Sequence, residues 1–157
     1  MRHQRLPLSI GFAIALLACT ACEGRQGTAL SVDLHAGASG SSPFAIRRQG
    51  LYSISYECTV RDANNRRAAW RVLEAATLSA GWNPETSVAR EGAREARPID
   101  PVEHPRLSSW NGRHLSIELA RARLEPGRYE LRHAVPLPAT NPPCESRLVV
   151  APAYVGK

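Results

Sequence analysis

The stretch Leu124-Glu125-Pro126-Gly127-Arg128-Tyr129-Glu130-Leu131 limits what this chain can fold into more than any other. A Pro-Gly pair opens a run in which Tyr129, Leu131, His133 and Val135 share one face. Proline presets φ for a turn and glycine accepts a positive φ. A tyrosine just after such a turn can bury its ring and donate its hydroxyl to a backbone carbonyl upstream. That device is the tyrosine corner of Greek-key β-sandwiches. It argues for a fold, and a fold does not specify a function.

A second strand supports the first. From Leu51 to Val60, the residues Tyr52, Ile54, Tyr56, Cys58 and Val60 fall on one face, and Ser53, Ser55, Glu57 and Thr59 on the other. Period-two alternation with aromatic and β-branched residues predicts a half-buried strand of an antiparallel sheet. Further strands are expected at Ala29–Leu34, at Phe44–Ile46 as a short edge, at His114–Arg121 and at Arg147–Ala151. Between them, Gly37 to Pro43 reads as a flexible loop, and Asn111-Gly112 suits a type I′ hairpin turn. The period changes once. Ala69, Val72, Leu73 and Ala76 stand at helical spacing, so a helix is expected near 66–79, capped by Asn64 or Asn65 and stopped by Gly81. Residues 82–109 carry prolines at 98, 101 and 105, and read as an extended excursion without a long helix. The expected fold is a mainly β, antiparallel Greek-key-like sandwich with one inserted helix.

The N-terminus belongs to export. A basic start (Arg2, Arg5) precedes an apolar run from Leu8 to Ala18, which is the length of a signal-peptide core and too short to span a bilayer. It closes on Leu16-Leu17-Ala18-Cys19, the pattern of a bacterial lipobox. Cys19 fits lipidation better than Cys22, which would put a cysteine where an aliphatic residue is expected. An ordinary cleaved signal is the alternative. The expected organisation is a signal peptide over 1–18, a lipidated N-terminus and tether over 19–28, and one domain over 29–157. Several acyl chains would hold the protein on a membrane without embedding it. Thr20 lacks the aspartate that marks inner-membrane retention, which favours the outer membrane and a periplasm-facing domain.

Loss of residues 1–18 leaves 18 basic against 14 acidic residues, a net charge of +4. Nearly all the positive charge is arginine, and no basic block interleaves with aromatics, so a nucleic-acid partner is not expected. Cys58 and Cys144 remain beyond the lipobox. In an exported protein such a pair reads most simply as a disulfide, with free thiols or half a metal site as alternatives.

Several features together resemble a known family. A lipobox, a Gly-x-Tyr-x-Ile strand (Gly50, Tyr52, Ile54) and a Leu-x-Pro-Gly-x-Tyr-x-Leu strand (Leu124, Pro126, Gly127, Tyr129, Leu131) make the chain similar to the proteobacterial lipoproteins grouped as domain of unknown function 5625. The resemblance runs over about residues 30–155 and includes a Ser-Trp pair, here Ser109-Trp110. It implies an exported lipoprotein and a sandwich fold. The family has no assigned activity, and the cysteine pair is not attributed to it.

The motifs of catalysis are missing from the sequence. There is no Gly-x-Ser-x-Gly elbow, no HExxH, and no Ser-x-x-Lys, since the sole lysine is Lys157. His133 falls on an inward strand face, where a hydrogen-bonded core role is expected. No cofactor or metal is expected. What remains is a binding surface. Trp82 and Trp110 bracket the excursion, which also carries Arg90, Arg94, Arg97 and Arg106. Tryptophan and arginine are enriched at the energetic centres of interfaces, although indoles in such a setting more often pack under the loop as core. The expected function is non-catalytic binding of another protein, sharpest as an immunity-type protein against a periplasm-delivered toxin. An assembly accessory of the envelope is the alternative, and a small-ligand carrier the second.

Overall fold

The fold was obtained as a computed structural model, which describes residues 27–34, 39–79, 82–93, 97–109, 111–136, 138 and 140–154. The expected signal segment, Cys19, Cys22 and Gly81 lie outside the described residues. In chain order the elements are β1 (Leu30–Asp33), β2 (Ser39–Ile46), β3 (Gly50–Thr59), α1 (Arg66–Leu78), β4 (Glu85–Arg90), β5 (Arg97–Pro98), β6 (Asp100–Pro101), β7 (Leu107–Ser109), β8 (His114–Leu124), β9 (Gly127–Ala134) and β10 (Glu145–Pro152).

They form the expected antiparallel sandwich. One sheet runs β1-β10-β3-β8, with β6 and β7 both pairing along the outer edge of β8, and the other runs β2-β9-β4-β5. Ile54, Tyr56, Ile117, Leu131, Leu148 and Val150 fill the space between them at 1% exposure or less. The β3 alternation holds for Tyr52, Ile54, Tyr56 and Cys58, all buried. Cys58 is disulfide-bonded to Cys144, with a Cα–Cα distance of 5.6 Å and a sequence separation of 86. The staple joins the end of β3 to the segment leading into β10, its neighbour in the sheet.

The helix buries Ala69, Leu73 and Ala76, with Val72 half-buried. Its start differs from expectation. A 3-10 turn over Ala63–Asn65 precedes it, and Asp62 is the capping residue, its carboxylate accepting the Asn64 N–H at 2.9 Å. Asn65 makes no side-chain cap bond. The extra turn moves the orphan N–H groups back toward Asp62, whose charge also suits a helix start.

Three segments read as loops or simple turns are structured otherwise. Residues 39–43 continue β2, whose Ser39–Ile46 register pairs with β9 in full. The strand is an outer one, so Gly40 and Pro43 cost no ladder there. Within the 82–109 excursion lie β4 and three short strands. β4 pairs with β9 from Glu85↔Ala134 to Arg90↔Tyr129. β5 pairs with β4 and β6 with β8, so this strand pair crosses from one sheet to the other at the open side of the sandwich. Between them Ile99, at 8% exposure, joins the core cluster. Finally, the turn at Asn111-Gly112 is not type I′, because neither residue has a positive φ. Asn111 Oδ1 instead accepts the N–H groups of Arg113 (2.8 Å) and His114 (3.0 Å), and this Asx arrangement organises the β7–β8 connection.

Candidate functional site

The site is built around two matching turns. Tyr129 donates its hydroxyl to the Glu125 carbonyl at 3.0 Å, four residues upstream. Tyr52 donates to the Arg48 carbonyl at 2.9 Å, again four residues upstream. Each tyrosine lies two residues after a glycine, Gly127 or Gly50, at the first turn of a strand. The chain thus makes two tyrosine corners, one opening β3 in the first sheet and one opening β9 in the second. Both rings are buried, at 7% and 8%, and Phe44 stacks on Tyr129 with centroids 5.6 Å apart. The corners fix the ends of the β2–β3 and β8–β9 turns, and between those turns the sandwich opens into a cleft.

The cleft has a volume of about 530 Å³. Val88, Ile99, Ala122, Leu124 and Tyr129 supply apolar lining; Arg90, Arg121 and Arg123 add positive charge, and Asp100 and Glu125 negative. Gln49 lines it from the β2–β3 turn, beside the exposed Arg47 and Arg48. Arg90 stands 3.7 Å from Glu125, donates to the Pro126 carbonyl at 3.3 Å, and lies against Gly127, where an added Cβ would come within 3.3 Å of Nε. Arg121 is held by Glu118 through two short bonds of 2.8 and 2.7 Å, and this hydrogen-bonded carboxylate raises its pKa further. Arg123 makes no ion pair among the described residues. The available cations at this end are therefore Arg123, Arg47 and Arg48, with Arg90 shared.

Of the binding residues expected from sequence, Trp82, Arg90 and Arg106 have described side chains; these are not gathered in one place, and among them Arg90 alone lines the cleft. Trp82 precedes β4 and Arg90 ends it, so the two lie near opposite ends of a strand roughly 20 Å long at the usual rise per residue. Trp82 is half-buried, donates its indole N–H to the Pro136 carbonyl at 2.7 Å, and meets Tyr56 edge-on at 6.3 Å. It packs as part of the core's far end. Arg106 is exposed just before β7, without a hydrogen bond or ion pair among the described residues. Trp110, Arg94 and the Arg97 side chain lie outside what the structure describes. Sequence reading missed Arg121, Arg123 and Gln49. Their signal was the turn chemistry itself, because residues flanking a tyrosine corner necessarily sit at the sandwich rim.

His133 is buried at 8% on the inward face of β9, as expected, but its Nδ1 has no hydrogen-bond partner among the described residues. Burial therefore lowers its pKa, because nothing compensates the desolvated cation. Gly40 on β2 faces it, and a Cβ there would stand 3.4 Å from Cε1. Among the described residues no cluster of three potential metal-ligating side chains occurs.

No protein-family model matches the chain, and no curated protein matches it. It is similar to a crystal structure of a protein from Sulfurospirillum deleyianum, with a TM-score of 0.56 and 9% identity over 80% of this chain and 98% of that one. At that identity the likeness shows the sandwich fold alone.

Proposed function

We propose that the protein is a non-catalytic, lipid-anchored envelope protein, of the kind its resemblance implies, which binds an acidic segment of another protein in the cleft between its two tyrosine corners. The observation that carries this reading is the placement of the cleft. An apolar floor rimmed by Arg90 and Arg123, with Arg47 and Arg48 beside it, offers both desolvation and charge to a partner. Arginine forks suit carboxylates, and Arg123, which makes no ion pair among the described residues, is the cation in the cleft open to one. No histidine, cysteine or serine lines the cleft, so no nucleophile–base pair is poised there.

Where the chain enters the domain favours one kind of partner. Gly27, the first described residue, lies against Pro152 and lines a groove with Arg47 and Arg48, so the described chain begins at the arginine-bearing end. Residues 19–26 extend at most about 28 Å. A cleft so close to an anchor suits a partner resident at the membrane surface, which favours an envelope-assembly accessory over neutralisation of a freely diffusing toxin. The two part cleanly in cells. Deletion of the gene gives a constitutive envelope defect if the assembly reading holds. A deletion that is silent until a neighbouring toxin gene is expressed would support the immunity reading instead. In either case an Arg90→Glu, Arg123→Glu double variant should phenocopy deletion while remaining folded and lipidated; full complementation by it would overturn the cleft.

A further inference from the structure

The outward face of the first sheet carries a second depression, which shares Arg121 with the lining of the cleft. Ser53 and Ser55 of β3 and Ser116 of β8 point away from the core, yet each is only 3% exposed. They line a depression of about 500 Å³. Ser55 and Ser116 make no side-chain hydrogen bond among the described residues, and Ser53 reaches the Ala151 carbonyl only at 3.5 Å. Neither the Ser55 nor the Ser116 hydroxyl is among the buried side-chain atoms left without a partner, so both keep contact with solvent through the depression and are open to a ligand.

The rim has its own geometry. The β3–β8 register shifts between Ile54 and Ser55, so that Ile54 opposes Ala120 while Ser55 opposes Glu118. One extra residue on β8 turns Arg121 onto the same outward face as Glu118, where a regular strand would set residues three apart on opposite faces. The two form a closed pair at 2.7 Å, so the rim presents hydrogen-bonding groups without net charge. At another edge Tyr154 stands 75% exposed, one of two large hydrophobic residues so placed among the described residues.

We infer that this depression binds a neutral polyhydroxylated ligand, a saccharide segment. Free serine hydroxyls both donate and accept, which matches the mixed donors and acceptors of sugar hydroxyls. The small serine side chains leave room for a ring, and an exposed tyrosine face provides the apolar platform that the C–H side of a pyranose requires. A neutralised ion pair disfavours a phosphate.

The test is titration of the folded domain with chitotetraose and with maltotetraose, followed by calorimetry and by amide shifts, with inorganic phosphate as the charged comparison. Binding of at least one sugar, with shifts centred on Ser55, Ser116 and Tyr154, is expected. Tyr154→Ala should weaken it roughly tenfold, about what loss of an aromatic contact produces. Ser55→Val, which suits a strand, should weaken it as well without changing the unfolding midpoint by more than a degree or so. Failure of both sugars to bind at millimolar concentration, binding unchanged in Tyr154→Ala, or preferential binding of phosphate at these residues would each overturn the assignment.

Discussion

Tyr52 and Tyr129 each give one hydroxyl to a carbonyl four residues back, so each corner is a local latch with a measurable strength. Tyr52→Phe and Tyr129→Phe should each lower unfolding stability by about 1 kcal/mol, the net worth of one such bond, and a urea titration of the double variant should give their sum because they latch different sheets. His133 makes a prediction of opposite kind. Its folded pKa lies below the ordinary 6.5 because burial disfavours the cation. Between those two values the unfolded chain binds more protons than the folded one, so stability rises with pH there. The contribution is therefore full above about pH 6.5 and falls away as pH drops toward the folded pKa. His133→Met should remove that part of the pH dependence; an unchanged slope in the variant would show that other groups carry it. The Tyr129 corner was legible from sequence because Gly-x-Tyr after a Pro-Gly turn has few other uses; the Tyr52 corner was not read, although Gly50 marks it with the same spacing. The missing His133 partner was not legible, since alternation shows which way a side chain points and is silent on what it meets.

At the scale of elements, the strands that alternate cleanly were legible to within three residues at each end, as was the helix. Of those misread, β2, β5 and β6 share a cause. β2 begins in Gly-Ser sequence, and β5 and β6 each contain a proline, composition that signals a loop when read locally. They are strands because they lie at sheet edges, where an absent N–H or side chain costs little and the neighbouring strand supplies the order. Edge position is a tertiary fact and leaves no local mark. The β5–β6 crossing is anchored by Ile99 in the core. Ile99→Ala should cost about 2–4 kcal/mol through the cavity it leaves, and should also loosen the cleft wall, lowering partner affinity. Asp62→Ala should cost about 1 kcal/mol by uncapping the turn before α1, whereas Asn65→Ala should cost little. Equal losses in the two would mean that the cap is shared.

Across the whole molecule, the disulfide and the corners divide the work. The corners latch the turns on either side of the cleft, at the end of the sandwich where the described chain begins, and the Cys58–Cys144 link staples the other end. Reduction should cost roughly 4 kcal/mol in the chain-entropy picture for so long a loop, seen as a lower urea midpoint with little change at the cleft. The expected lipid anchor belongs to this scale too. Palmitate labelling should be lost in Cys19→Ser; retention through Cys22 would move the site. Sequence patterns singled out Arg90 but not Arg121 or Arg123, because the three lie on two strands from different sheets and meet only through the sandwich. The measurement that bears most directly on the cleft as the binding surface is photo-crosslinking in living cells from a probe placed at Gln49, which lines it from the β2–β3 turn. A discrete protein adduct that disappears in the Arg90→Glu, Arg123→Glu background is the predicted result. The same adduct persisting at full strength in that background, or no protein adduct at Gln49 while a probe near Trp82 captures one, would contradict it.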